Sequence, residues 1–243
     1  MKKIFLISSL CISLFASCTT TKKTNLPSSS STSKKIAYKI VTQRESTNAV
    51  EVKYSYPQFS GQDTLNALIK KMREEASVIA MNDLKKDWND FSKEQKLNGS
   101  KEEVPPFDYN VECNPVITSS PYISMLFTTY TYSGGAHGEY TLDALTYDVN
   151  LQKEVSITEI SGYTINEIAQ HCHDYLVKNL RYGNGSKESE EDRIAWIAEG
   201  TIPNESNYTA FTCDGKILTI YFEPYRVAPY ASGIQRVTMP IKK

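Results

Sequence analysis

Between residues 65 and 91, Leu65, Leu68, Ile69, Met72, Ala76, Ile79, Ala80, Leu84, Trp88 and Phe91 recur at steps of three and four, while Lys70, Lys71, Glu74, Glu75, Lys85 and Lys86 take the other faces. A helical period sustained for about seven turns defines one long amphipathic helix. A helix of that length needs a flat apolar surface to cover. Asp63 is placed to cap its start, and Asn98-Gly99 to end it. The flanking segments have a different period. Residues 36–43 and 49–56 are β-rich runs separated by the polar Arg44-Glu45-Ser46-Thr47-Asn48, the pattern of a hairpin. After Pro105-Pro106, residues 107–118, 122–132 and 140–149 form three strand candidates on short polar or Gly-rich links, which predicts an antiparallel meander. The helix is expected to pack on this sheet as core.

The second half repeats the alternation on a smaller scale. Residues 164–180 read as a helix with Ile165, Ile168, Ala169, Cys172, Leu176 and Leu180 on one side. Residues 188–198 read as a shorter one, with Glu188, Glu190, Glu191 and Asp192 at the positive end of its dipole. Runs at 208–213 and 216–222 flank Asp214-Gly215, a strong hairpin signal, and a last strand spans 234–239. The expected class is α+β: antiparallel β-sheet(s) packed by one long and one or two shorter helices.

The first 35 residues do not belong to that body. Lys2 and Lys3 precede an uncharged, mostly apolar run from residue 4 to 16, the layout of a secretory signal and too short to span a bilayer. Leu14-Phe15-Ala16-Ser17-Cys18 resembles a bacterial lipoprotein box, which would make Cys18 the lipid-attachment residue and the membrane a partner through that anchor. From Thr19 to Lys35, ten of seventeen residues are Ser or Thr, so this stretch reads as a tether. The expected organisation is a signal peptide over 1–17, the lipidated cysteine and tether over 18–35, an N-terminal α+β unit over 36–118 and a C-terminal one over 119–243. Loss of Lys2 and Lys3 moves the formal charge from −1 to −3. That balance gives no footprint for nucleic acid.

Chemistry-bearing patterns are few. Tyr132-Ser133-Gly134-Gly135-Ala136-His137-Gly138 is a loop whose glycines permit positive φ and close backbone approach. It lacks the Lys-Ser/Thr ending of a phosphate loop. His137 is a general base, a ligand, or a structural group that ties the loop to its own backbone. His171 and His173, two apart on a helix, point about 200° away from each other and do not form a chelating pair. No G-x-S-x-G occurs. Cys113, Cys172 and Cys213 show no CxxC spacing, and one disulfide plus a thiol or three thiols both remain open. No metal or cofactor is expected. The second distinctive stretch, from Phe222 to Gly233, carries Pro224 and Pro229, so it should leave the sheet as a stiff loop presenting Tyr225 and Tyr230.

YSGGAHG and FEPYRVAPYASG together resemble a bacterial envelope domain of unknown function, found in the ectodomain of a lysozyme-sensing anti-sigma factor and in the non-catalytic part of some peptidoglycan deacetylases. Tyr56-Pro57-Gln58-Phe59 with Leu65-Asn66-Ala67-Leu68-Ile69 is similar to the companion domain that precedes it. The residues from Thr146 to Val149 and from Val155 to Ile160 also fit, with Gln152 where a turn glycine is common. The resemblance covers roughly residues 36–243. It implies an envelope protein that binds peptidoglycan or a lysozyme-like muramidase without catalysis, with Tyr132, His137, Tyr225 and Tyr230 as candidate ligand-binding residues. With no sigma-binding segment, membrane-spanning helix or deacetylase domain in the sequence, neither the anti-sigma role nor the deacetylase chemistry is expected. A hydrolase of envelope polymers using His137, and a structural scaffold, are the alternatives.

Overall fold

The computed structural model describes residues 35–181 and 189–242. The signal, Cys18 and nearly all of the tether lie outside these residues. The order is β1 (Tyr38–Ser46), β2 (Val50–Phe59), α1 (Asp63–Leu97), β3 (Phe107–Ser119), β4 (Tyr122–Tyr132), β5 (Glu139–Asp148), β6 (Lys153–Glu154), α2 (Ile157–Ser161), α3 (Ile165–Asn179), α4 (Glu190–Gly200), β7 (Phe211–Cys213), β8 (Ile217–Phe222) and β9 (Gln235–Pro240). Short 3-10 turns occur at Glu205–Tyr208 and Tyr230–Ser232. The class is α+β, with a six-stranded sheet in the order β1 to β6 and a three-stranded sheet β7-β8-β9.

The expected antiparallel arrangement holds for every pair but one. β2 and β3 run parallel, Val50 facing Phe107 and Tyr54 facing Val111. The reason is α1, which carries the chain back along the sheet so that β3 starts at the same end as β2. The β3-β4-β5 meander is antiparallel, and its first hairpin, at residues 119–122, lies inside the six-stranded sheet.

α1 ends as the sequence reading expects. Asn98 is its C-cap, Gly99 takes φ +80°, and the amides of Gly99 and Ser100 bond the carbonyls of Lys96 and Gln95, a Schellman closure. Its start differs. Gln62, not Asp63, occupies the N-cap, and Asp63 sits in the first turn, where its charge meets the dipole instead. The buried stripe also differs in the middle. Leu65, Ile69, Arg73, Ser77, Met81 and Leu84 are buried, whereas Ile79 is 62% exposed. Steps of four carry the stripe through Arg73, whose guanidinium lies 4.4 Å from the Phe127 ring centroid on β4 and bonds Asp143 on β5 at 3.2 Å. A long stem beneath a paired head lets a cation occupy a core position.

One core lies between α1 and the large sheet, from Val50, Val52, Tyr54, Leu65, Ile69, Phe107, Ile123, Met125 and Phe127. A second is built from α2, α3 and α4 against the small sheet, from Ile168, Cys172, Leu176, Ile197, Leu218, Ile220, Phe222 and Val237. β4 is buried on both faces, which accounts for its unbroken Ile123-Ser124-Met125-Leu126-Phe127 run. Its odd residues face α1; Leu126 packs with Leu142, Ala210 and Tyr221, and Ser124 Oγ accepts from the Cys213 amide at 3.0 Å while bonding Thr146 Oγ1 at 2.7 Å.

α2 opens with a capping box, Ser156 and Glu159, and α3 with another, Thr164 and Glu167. α4 is capped by Ser189 and Asp192; the expected start at residue 188 lies outside the described residues. Cys113, Cys172 and Cys213 are free thiols, and burial pushes Cys113 and Cys172 up to about 12. Among the described residues no helix is long and apolar enough to cross a membrane, and no three His, Cys, Asp or Glu are placed to hold a metal ion.

Candidate functional site

The two distinctive loops meet. The first closes the β4–β5 hairpin at residues 133–138, and the second leaves the end of β8 and returns at β9. The His137 and Tyr230 rings stack with centroids 4.0 Å apart and planes 19° from parallel. Tyr225 lies 5.6 Å and Tyr140 6.4 Å from Tyr230, and Tyr130 packs on Tyr140 at 5.0 Å. Around them is an open pocket of about 260 Å³ lined chiefly by His137, Gly138, Glu139, Tyr140, Tyr225 and Tyr230.

Local chemistry explains each position. Gly134 and Gly135 take φ near +92°, which folds the hairpin tip back. Gly138 is required for closeness: a Cβ there would sit 2.4 Å from the Tyr130 ring and 2.6 Å from the Thr131 carbonyl oxygen. His137 Nδ1–H donates to the Gly138 carbonyl at 2.9 Å, which leaves Nε2 as the open ring atom. The Tyr132 hydroxyl donates to the Gly135 carbonyl at 3.1 Å, so Tyr132 staples the loop and does not line the pocket.

The second loop is held at several points. Glu223 Oε1 accepts from the Leu142 amide at 2.7 Å, tying it to β5. Trp196 Nε1–H donates to the Tyr225 carbonyl at 2.9 Å, tying it to α4. Val227 and Ala228 are buried. Between these anchors Tyr225 adopts φ +69° and is 54% exposed. A non-glycine residue in that region stores about 1–2 kcal/mol of strain, and such strain concentrates at functional loops. Partial burial, with the phenols of Tyr140, Tyr130 and Tyr225 beside it, holds the Tyr230 phenol above its ordinary pKa.

Three of the four candidate residues therefore converge, His137, Tyr225 and Tyr230, and Tyr132 does not. Tyr140 joins them unforeseen. Its signal was available, because β4 and β5 pair Tyr130 with Tyr140 directly across the hairpin. The other histidines lie elsewhere on α3: His171 Nε2 bonds the Thr238 carbonyl at 3.0 Å, and His173 Nδ1 pairs with Asp174 at 3.2 Å.

Residues 43–140 match the family model described as deacetylase PdaC, and residues 154–242 match the model described as protein of unknown function DUF3298. The chain is therefore similar to a PdaC-type stretch followed by a DUF3298-type stretch. The candidate pocket draws on both matched stretches, with His137 and Tyr140 in the first and Tyr225 and Tyr230 in the second. Among curated proteins, the chain is 25% identical over 185 residues to the peptidoglycan-N-acetylmuramic acid deacetylase PdaC of Bacillus subtilis, covering 76% of this chain and 36% of that protein. It thus spans about a third of its relative's length. Its fold is that of a solved DUF3298 family member from Bacteroides fragilis, with TM-score 0.58 at 16% identity over 84% of this chain and 90% of that one. A DUF3298 family protein from Pseudomonas aeruginosa aligns with TM-score 0.53 at 13% identity, over 86% and 92% of the two chains.

Proposed function

We propose that this chain is a lipid-anchored cell-envelope protein that holds a peptidoglycan sugar ring in the His137, Tyr140, Tyr225 and Tyr230 pocket without cleaving it. The observation that carries the reading is the meeting of the two loops around an open aromatic pocket rather than in a closed joint. Stiffly held rings present flat apolar faces to a sugar's C–H faces at small entropy cost, and phenol edges supply hydrogen bonds. The kinship with a peptidoglycan deacetylase supports the polymer, and the Lys2-Lys3 segment with Cys18 supports export and anchoring. Binding without cleavage is favoured because Glu139 is the one carboxylate among the described lining residues, whereas glycoside hydrolysis ordinarily uses a pair.

The test is co-sedimentation with purified peptidoglycan sacculi, run beside a titration with lysozyme. The reading expects the protein to pellet with sacculi, the Tyr230→Ala variant to stay in solution, and sacculus turbidity to hold constant. Binding to lysozyme but not to sacculi would replace the glycan with a muramidase. Clearing of the sacculi that His137→Ala abolishes would replace binding with hydrolysis.

A further inference from the structure

The backbone edge of β5 beside the pocket has an opening that aromatic stacking does not use. Along β5 the Leu142 amide points away from β4, to Glu223 Oε1 at 2.7 Å. The Thr146 carbonyl also points away, accepting from the Val155 amide at 2.9 Å. Alternate residues of a strand aim their N–H and C=O to the same side, so both groups of Tyr140 face outward as well. β6 pairs only with Tyr147 and Asp148, and Glu223 covers Leu142. Among the described residues nothing pairs with the Tyr140 N–H and C=O, which border the sugar pocket.

We propose that the stem peptide of a peptide-bearing glycan pairs with Tyr140 on this edge while its sugar occupies the aromatic pocket; the proposal rests on the glycan reading above. One residue of an extended peptide offers a C=O and an N–H side by side, the complement of what one edge residue presents. A sugar's acetamido group does not, because its N–H and C=O point in opposite directions. Charge agrees. Glu139 is the one carboxylate among the described lining residues, and it tolerates an amide-linked peptide better than a free sugar acid. A second recess of about 150 Å³ continues along the same strand, lined by Leu142, Asn207, Glu223 and Arg226 among others. Arg226 is exposed there and bonds Asn207, which places a cation where a peptide leaving Tyr140 would bring a carboxylate.

Titration calorimetry of the purified full chain with the disaccharide N-acetylglucosaminyl-N-acetylmuramyl dipeptide and with chitobiose tests this at equal numbers of sugar rings. The peptide-bearing ligand should bind about tenfold more tightly, the worth of two backbone hydrogen bonds. Tyr140→Pro removes the N–H at an edge that tolerates proline, and should erase that advantage. Tyr140→Ala, which loses only the ring, should weaken both ligands and keep the advantage. Equal affinity of the unmodified chain for the two ligands overturns the stem-peptide proposal and leaves the glycan reading standing. Binding of neither overturns both. An advantage that survives Tyr140→Pro, in a variant whose thermal melt matches that of Tyr140→Ala, places the peptide elsewhere and also overturns the proposal.

Discussion

Replacing Gly138 by Ala tests the joint that creates the pocket. The added methyl would lie 2.4 Å from two Tyr130 ring atoms and 2.6 Å from the Thr131 carbonyl oxygen. The ring cannot simply swing clear, since Tyr140 packs on it at 5.0 Å, and the oxygen belongs to the backbone of a paired strand. The loop must therefore lift. Forced overpacking of this kind costs about 1–3 kcal/mol, which for a body of this size lowers Tm by roughly 3–10 °C. The shift carries His137, the next residue, off its stack on Tyr230 and withdraws the carbonyl that His137 Nδ1 holds at 2.9 Å. Thermal unfolding followed by near-ultraviolet circular dichroism reads both effects, the first as Tm and the second as a change in the tyrosine band before melting. A variant with Tm within about 1 °C of the parent and an unchanged tyrosine band would refute the close approach at Gly138.

Other outcomes follow from the same geometry. Tyr225→Gly should leave Tm unchanged or slightly higher, because relief of about 1–2 kcal/mol of backbone strain at φ +69° offsets one lost ring contact, while glycan affinity falls. Arg73→Ala should destabilise by about 2–4 kcal/mol in urea unfolding, since it empties a core position between α1 and β4, while the exposed Asp143 carboxylate stays solvated. The thiols set an alkaline limit. Cys113 and Cys172 are raised from 9.0 to about 12, so above pH 9 the unfolded chain loses protons that the folded one keeps, and stability should fall as pH rises through that window. The capping carboxylates set an acid limit. Lys153 with the Ser156 amide, and Lys242 with the Thr164 amide, hold Glu159 and Glu167 down from 4.5 to about 2, so their contribution should be lost as pH falls through that range.

Much of this arrangement is visible in the chain itself, and the exceptions have physical causes. Strand boundaries follow the alternation of Tyr, Val and Thr, and the helix end follows Asn98-Gly99, because both depend on neighbouring residues. The parallel β2–β3 pair does not, since it depends on where a 35-residue helix delivers the chain. Arg73 and Ser77 escape a hydropathy reading of α1 because burial follows position on the helix, and the ring and carboxylate that receive Arg73, Phe127 and Asp143, lie on other elements. α2 had a local signal in Ser156 and Glu159, too short to stand out by periodicity. In the pocket, His137, Tyr225 and Tyr230 stand out because glycine and proline mark their loops. Tyr140 and Glu223 look like ordinary strand-end residues until the register is known.

The central claim is that the pocket itself receives the glycan, and the His137 ring is the reporter nearest to it. Following the His137 imidazole resonances by NMR while peptidoglycan disaccharide fragments are added, the account predicts a saturable shift that Tyr230→Ala abolishes. Saturable binding that leaves those resonances unmoved, or that Tyr230→Ala does not weaken, would contradict it.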